Sequence, residues 1–578
     1  MSEDDNQLSQ ELTKCFPALD ASLLKDCVTL CKNYALSAEE LQFKWEAFNF
    51  RPSATRSEIS PYTPESLDAL KQAIQRERVA SAQPKAPRNS ALVAALNRSG
   101  FRGRGSAARG AAAAQVKIEP DAEGFAMVAG PSTVAFEGPD GSRKKRAYRY
   151  MLQKPSERGR VMDEHIDEFA EKIREVYGVE DIGDPSASTS DDITVVGRII
   201  HDDDTAEDTS KLGENSIAIE CSRNLASGAR APLRFDAQPK IRNGPKGSDA
   251  VTLFPGALVA MRGRNGGAGH FLVSEILLLP PPPPAEILKR NETQGPFTVF
   301  IASGPYSPDK DLGFKPWRTL LKKIQEAKPA VVVLIGPFID AQHPLIKLGD
   351  VDSTPLKLFR TRFVDPLRSY LDSVPGSIAV LVPSPRDLIS THAVFPQAEF
   401  EKEVVGSDPR MRLVPNPAWF SLNGLTFSVT SVDTLFHVKR GEFSKKGEEA
   451  DSVDVSADDG CGDAIVGLCK HIVQQRSVYP VFPVPSGLEA EVVLDVSHSD
   501  ALRLGPASDG DSDAPPPECI PDVLIVPSRL KLFAKPIYNA LAINPGFVAR
   551  LGYVVLDVGS RAGTGRPTMT GNVMKVEI

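Results

Sequence analysis

The chain has 578 residues, with 67 Lys and Arg against 75 Asp and Glu and a formal net charge of −8. That length exceeds what one hydrophobic core fills, so two or three domains joined by linkers are expected. The negative balance argues against a bulk grip on phosphate backbones and favours protein partners, and no apolar run has the roughly 20 residues of a bilayer-spanning helix.

The first residues, Met1 to Gln7, are acidic and polar and lack the basic and apolar regions of a secretory signal. Cysteines at 15, 27, 31, 221, 461, 469 and 519 follow no regular spacing, which suggests reduced thiols in an intracellular compartment. Within residues 1–50, Leu8, Leu12, Phe16, Leu19, Leu23, Leu24, Cys27, Leu30 and Cys31 recur at helical spacing, Pro17 breaks the run, and Ser37-Ala-Glu-Glu40 is a capping box. A small helical module is predicted, marginal alone, that holds a partner or packs on the rest. Cys27 and Cys31 lie four apart on that helix; a metal could use the spacing, but no second pair accompanies them, and a helix core face accounts for them as well.

Residues 51–145 are dominated by Pro, Ser, Ala, Gly and Arg and read as a disordered tether. Ser60-Pro61 and Thr63-Pro64 make Ser60 and Thr63 candidate phosphorylation sites, in a dipeptide context that also arises by chance. Phe101-Arg-Gly-Arg-Gly105 resembles one short copy of an arginine–glycine segment or a plain linker. Val116-Lys-Ile-Glu119 fits a weak SUMO-acceptor pattern. Arg143, Lys144, Lys145 and Arg146 form a compact basic run, a candidate nuclear signal, whose plainer reading is a solvated charge run.

Residues 146–290 return to folded patterning. Asp163 to Tyr177 predicts an amphipathic helix with Ile166, Phe169, Ile173 and Val176 on one face. Five short strands follow: Ile193–Ile200, Ser216–Glu220, Leu233–Phe235, Ala257–Arg262 and Phe271–Leu278, a pattern suited to an OB-type barrel. Its aromatics are Phe235, Phe254 and Phe271, and Asp202-Asp-Asp204 is acidic, so protein contact suits it better than base stacking. Gly263 to Gly269 lacks the Lys-Ser or Lys-Thr ending of a nucleotide loop and reads as a hairpin turn. The prolines at 280–284 suggest a stiff spacer.

In residues 291–578, strands at Thr298–Ala302, Val331–Ile335, Ser377–Val382, Leu425–Ser431, Val523–Val526 and Tyr553–Leu556 alternate with helices in an α/β layered pattern. Polar inserts around 441–462 and 498–518 read as surface loops. Here the motifs become specific. Ala302-Ser-Gly-Pro-Tyr306, Ile335-Gly-Pro-Phe-Ile-Asp-Ala-Gln-His343, Val382-Pro-Ser-Pro-Arg-Asp387, Thr430-Ser-Val-Asp-Thr-Leu-Phe-His437, Pro521-Asp-Val-Leu-Ile-Val-Pro-Ser528 and Ile543-Asn-Pro-Gly546 resemble, in this order, the B subunits of eukaryotic replicative DNA polymerases, most closely the alpha type.

The resemblance implies a multidomain α+β chain: a small N-terminal helical module, an OB-type β-barrel and an inactive calcineurin-like phosphoesterase α/β domain. A working phosphoesterase of that fold carries Asp-x-His, Gly-Asp-x-x-Asp, Gly-Asn-His-Asp/Glu and Gly-His-x-His, whose carboxylates and imidazoles hold two divalent metals. In this chain Ser303 and Pro305 replace the first pair, Pro337 the bridging Asp, and Pro383-Ser384-Pro385 the amide and imidazole; Asp340 survives, and no histidine follows His498. No catalytic residue, metal or cofactor is therefore expected. Asp340 with His343 reads as a loop cap, Arg386 with Asp387 as a local ion pair, and neither His437 nor His471 has a Gly-x-Ser-x-Gly partner.

By resemblance the chain is a scaffold that cradles the C-terminal domain of the DNA polymerase alpha catalytic subunit, alongside the primase subunits. The N-terminal module would recruit other replication factors, with nuclear localisation, no membrane and at most indirect DNA contact. The equivalent subunit of polymerase epsilon and a metal-dependent phosphodiesterase remain the alternatives.

Overall fold

A computed structural model of the chain describes chiefly residues 21–34, 154–202, 211–285, 295–452, 463–506, 517–559 and 567–576, with shorter pieces such as 134–138. Ser60, Thr63 and Arg143 to Arg146 lie outside the described residues. The chain divides into two compact units, Met1–Ala122 and Glu123–Ile578.

In the first unit the helix Ala21–Tyr34 buries Leu23, Cys27, Leu30 and Cys31. That spacing places all four on one stripe. Both thiols thus belong to the core face, and burial pushes Cys27 up to about 11, which keeps it a neutral thiol. Among the described residues no cluster of three or more His, Cys, Asp or Glu could hold a metal ion.

In the second unit the helix Pro155–Tyr177 begins eight residues before the apolar periodicity does. Pro155 supplies a first-turn residue that needs no N–H partner, and the Glu157 carboxylate accepts the Lys154 N–H at 3.0 Å. Its Ile166, Phe169, Ala170 and Ile173 pack on Val196, Ala260, Leu277 and Leu279.

A short strand β1 (Phe136–Glu137) precedes it; β2 (Ile193–His201), β3 (Ile217–Glu220), β4 (Arg230–Arg242), β5 (Ala250–Leu253), β6 (Leu258–Arg264) and β7 (Phe271–Leu277) follow. The order β4-β3-β2-β6-β7, with β4 pairing back to β7, closes a five-stranded barrel. Residues 263–269 lie in and beside the β6–β7 hairpin connection, and a Cβ at Gly263 would meet the Leu272 carbonyl at 2.0 Å, so the register shift there demands glycine. Phe235, Phe254 and Phe271 are all buried.

Next come β8 (Phe297–Ser303), β9 (Val331–Ile335), β10 (Ile378–Val382), β11 (Met411–Leu413), β12 (Ala418–Leu422), β13 (Leu425–Val429), β14 (Phe443–Lys446), β15 (Glu448–Ala450), β16 (Val523–Ile525), β17 (Phe533–Ile537), β18 (Ala540–Asn544), β19 (Gly552–Val558) and β20 (Met569–Lys575). Two six-stranded sheets result, β11-β10-β9-β8-β19-β20 and β1-β12-β13-β16-β18-β17. Val299, Ile301, Val333 and Val380 of the first meet Phe420, Phe427, Ile525 and Ile543 of the second in one apolar layer. Helices Lys315–Ala327 and Asp365–Ser373 cover the first sheet's other face through Trp317, Leu320, Leu367 and Tyr370. On the second sheet's other face, Leu524, Ala542 and the helix Ala464–Gln474 join the barrel interior in one continuous cluster.

Four expectations change. Val134 to Gly138 do not continue a disordered tether: β1 pairs antiparallel with β12, and Val134 is buried. The insert at 441–462 is not simply a surface loop, because β14 pairs with β5 and β15 with β4. In the insert at 498–518, residues 498–502 complete a largely buried 3₁₀ segment, Val496–Leu502. The proline run is no free spacer, since Pro284 bridges Ile520 and the Pro283 carbonyl accepts the Ile520 N–H at 2.9 Å.

His471, on Ala464–Gln474, meets the barrel's Phe254 edge-on at 5.4 Å between ring centres. His165 sits beside Arg198 and Arg503. Each keeps some accessible edge, yet burial lowers both imidazoles to about 4. The folded state therefore binds fewer protons than the unfolded chain between about pH 4 and 6.5, and stability present above that window falls as pH falls through it. Urea unfolding at pH 7 and pH 5 should show this loss, and His471→Leu should shrink it by about 1–2 kcal/mol; an unchanged loss in the variant would contradict the assignment.

Candidate functional site

The carboxyl ends of β8, β9, β10, β13 and β16 converge, as they do around the metal site of a phosphoesterase. Pro305, Pro337, Ser384, Asp433, Glu491 and Arg529 line a gap of only about 20 Å³ there, about the room one water needs. The loops are in direct contact. A Cβ at Gly304 would meet the Pro337 carbonyl at 2.0 Å, and one at Gly336 would meet Asp387 Oδ2 at 2.2 Å.

Asp387 organises this contact. Its Oδ1 accepts the N–H groups of Phe338 and Ile339, and its Oδ2 accepts Ser384 N–H at 2.9 Å. Burial pushes its pKa to about 8 against those three bonds, with Asp340 adding repulsion. The expected Arg386–Asp387 pair does not form. Arg386 instead reaches Asp340, with Nε 3.0 Å from Oδ1 and the second nitrogen on Oδ2. A buried carboxyl already holding three backbone donors leaves the guanidinium to Asp340.

Asp340 also accepts the Gln342 N–H at 2.9 Å. His343 caps the helix Pro344–Leu348: Nδ1 accepts from Leu345 N at 3.3 Å, and Nε2 lies 3.0 Å from the Pro308 carbonyl. Asp340 and His343 thus serve as loop and helix caps. Both ring nitrogens of His343 are engaged.

A second ion-pair network fills the other side. Asp433 caps the helix Thr434–Gly441 through Phe436 N–H at 3.1 Å and accepts Arg529 N and Nε at 2.9 and 3.0 Å. Arg529 also binds Glu491 and stacks over Phe436 at 4.3 Å. Burial acts to raise Glu491, but His437 and Arg529 overcome it and hold the carboxyl down at about 2. His437 Nε2 is 3.8 Å from Glu491, an ion-pair rather than a hydrogen-bond distance, and Nδ1 meets the Tyr479 hydroxyl at 2.8 Å.

These residues do not fit a pair of divalent metals. The carboxylates Asp340, Asp433 and Glu491 each hold a guanidinium, Asp387 is taken up by three backbone N–H groups, and Pro305, Pro337 and Ser384 offer no anionic ligand. Ser303 is buried with its hydroxyl turned to the Gly304 carbonyl. The sequence singled out Asp340 and Arg386; Asp433 lay unremarked inside the Thr430–His437 motif, Glu491 carried no local signal, and Arg529 only its place directly after Pro521–Ser528.

The family profile for the DNA polymerase alpha/epsilon B subunit matches residues 299–535, and the profile for the OB domain of the DNA polymerase alpha B subunit matches 159–279. Proteins named as the B subunit of DNA polymerase alpha are similar to the chain. The one from Schizosaccharomyces pombe is 31% identical over 416 residues, 69% of this chain and 65% of its own length. Those from Bos taurus and Saccharomyces cerevisiae are each 28% identical, covering 67% and 70% of this chain and 57% and 58% of theirs. The matched regions span between 57% and 65% of these relatives' own length.

Asp387→Ala would leave three buried N–H groups without an acceptor, at about 1–3 kcal/mol for each. A loss of several kcal/mol is expected by urea unfolding. Gly336→Ala, which forces the same loops apart, should also destabilise; near-neutral results for both would show that the loop contact is not under constraint.

Proposed function

The chain belongs to the family of DNA polymerase alpha B subunits, and we propose that it acts there as the non-catalytic scaffold of the polymerase alpha–primase complex. In this reading it binds the C-terminal domain of the catalytic subunit, stands in one assembly with the primase subunits, and supports synthesis of RNA–DNA primers at the start of replication. The observation that carries the non-catalytic part is the use of Arg386 and Arg529 as fixed cations on the carboxylates at the strand ends. Guanidinium groups neutralise those carboxylates without offering a Lewis acid or a bound hydroxide. The buried barrel aromatics support a barrel used for protein contact.

The N-terminal module would recruit further replication factors. Ser60 and Thr63 are proposed phosphoacceptors, and Arg143, Lys144, Lys145 and Arg146 a nuclear import signal.

A tagged chain drawn from nuclear extract should bring down the alpha catalytic subunit and both primase subunits in stoichiometric amounts by mass spectrometry. Recovery of a different replicative polymerase would move the assignment within the wider family, and recovery of the chain alone would overturn the scaffold. Replacing Arg143 to Arg146 by alanine should shift a fluorescent fusion from nucleus to cytoplasm when it is expressed without its partners; unchanged nuclear accumulation would remove the import role.

A further inference from the structure

A second cavity, of about 110 Å³, opens where the helix Pro155–Tyr177, the barrel and residues 475–503 meet. Its wall carries four cations, Lys172, Arg198, Arg476 and Arg503, against two carboxylates, Glu168 and Glu518. Arg503 is spent on Glu168, at 2.6 Å. Lys172 and Arg476 share the single Glu518, and Arg476 Nε, 3.2 Å from that carboxylate, makes no hydrogen bond.

Arg198 has no carboxylate in the wall. It is 4% exposed, and its one side-chain hydrogen bond among the described residues runs from a terminal nitrogen to the Met162 carbonyl at 3.0 Å. The nearest carboxylates are committed elsewhere, Asp163 to Arg223 and Glu220 to Arg230. Burial lowers Arg198 to about 10 and also lowers Lys172 and Arg476, while His165, held near 4, adds no charge at neutral pH. Two positive charges are thus in surplus in a partly enclosed space, where an unpaired charge is costly. The rest of the wall mixes apolar side chains, among them Leu258, Phe482, Leu494 and Leu502, with the polar Gln475, Ser477, Tyr479 and Ser499.

We infer that this cavity is a binding site for a small organic anion, with a phosphate-like head on Arg198, Lys172 and Arg476 and a short apolar body against Phe482 and Leu494. The head supplies the missing counter-charge through charge-assisted hydrogen bonds. The volume, below the ~150 Å³ of a cavity that takes benzene, limits the body to a few carbons. Nothing in the scaffold role requires such a ligand, so the inference stands apart from that role.

Isothermal titration calorimetry of the full chain with n-butyl phosphate tests it, with inorganic phosphate and n-butanol as controls. Butyl phosphate is expected to bind at sub-millimolar concentration and inorganic phosphate more weakly, while butanol gives no heat. Arg198→Gln should weaken butyl phosphate at least tenfold, the loss of one charge-assisted contact. Lys172→Met, which leaves Glu518 still paired with Arg476, should weaken it several-fold should Arg198→Gln fail to fold. Absence of binding to the unaltered chain, equal binding of butanol, or full affinity in the variants would overturn the site.

Discussion

The apolar residues that fill the barrel continue past its rim into the cluster beneath the second sheet. Val195, Ile217, Phe254 and Phe271 belong to the same cluster as Leu435, Cys469, Ile472, Leu524 and Ala542. Burial of apolar surface scales with area and is indifferent to domain boundaries, so barrel and sandwich cannot part without exposing that shared surface. The other joints add direction to this packing: β14 on β5, β15 on β4, the Pro284–Ile520 bridge, and Gln475 bonded to both backbone groups of Leu258. For the proposed scaffold this joint matters, because a platform that hinged between its halves would spend binding free energy on ordering itself.

Rigidity of this kind extends to the strand-end loops. The same convergence of strand ends that positions metal ligands in phosphoesterases here positions arginines. Carboxylates gathered in one partly buried pocket repel each other unless cations separate them, and Arg386 and Arg529 take that part as covalently attached groups. Asp387 shows the complementary solution, a buried carboxyl that holds three loop amides together with no ion at all. Both arrangements brace the loops internally.

The cavity beside Arg198 stands in contrast. At the strand ends Asp340, Asp433 and Glu491 each meet a guanidinium, whereas here cations outnumber carboxylates by two. The excess lies where the helix, the barrel and the C-terminal layers come together, so an anion there would contact all three.

Much of this protein was legible in residue order alone. The runs Val331–Ile335 and Ile378–Val382 are apolar throughout because strands buried on both faces leave no polar side, and the barrel strands announce themselves by short alternation between glycine-rich turns. The proline and serine at Pro305, Pro337 and Ser384 were equally readable, and neither residue type supplies an anionic metal ligand. Local pattern failed where a segment's partner lies far away in sequence. Strand β20 is exposed along most of its length and has no periodicity to detect; only β19 beside it makes it a strand. Phe136–Glu137 is too short to signal itself and forms because the β12 edge is free to receive it. Arg386 has one acid beside it in sequence, Asp387, and its pairing instead with Asp340, 46 positions away, depended on three backbone amides contributed by two loops. Glu491 and Arg529 became a pair only through the fold, across 38 positions. Composition and spacing determine which segments can be buried and which chemistry is impossible; which charge meets which is decided only when distant loops are brought within a few ångströms.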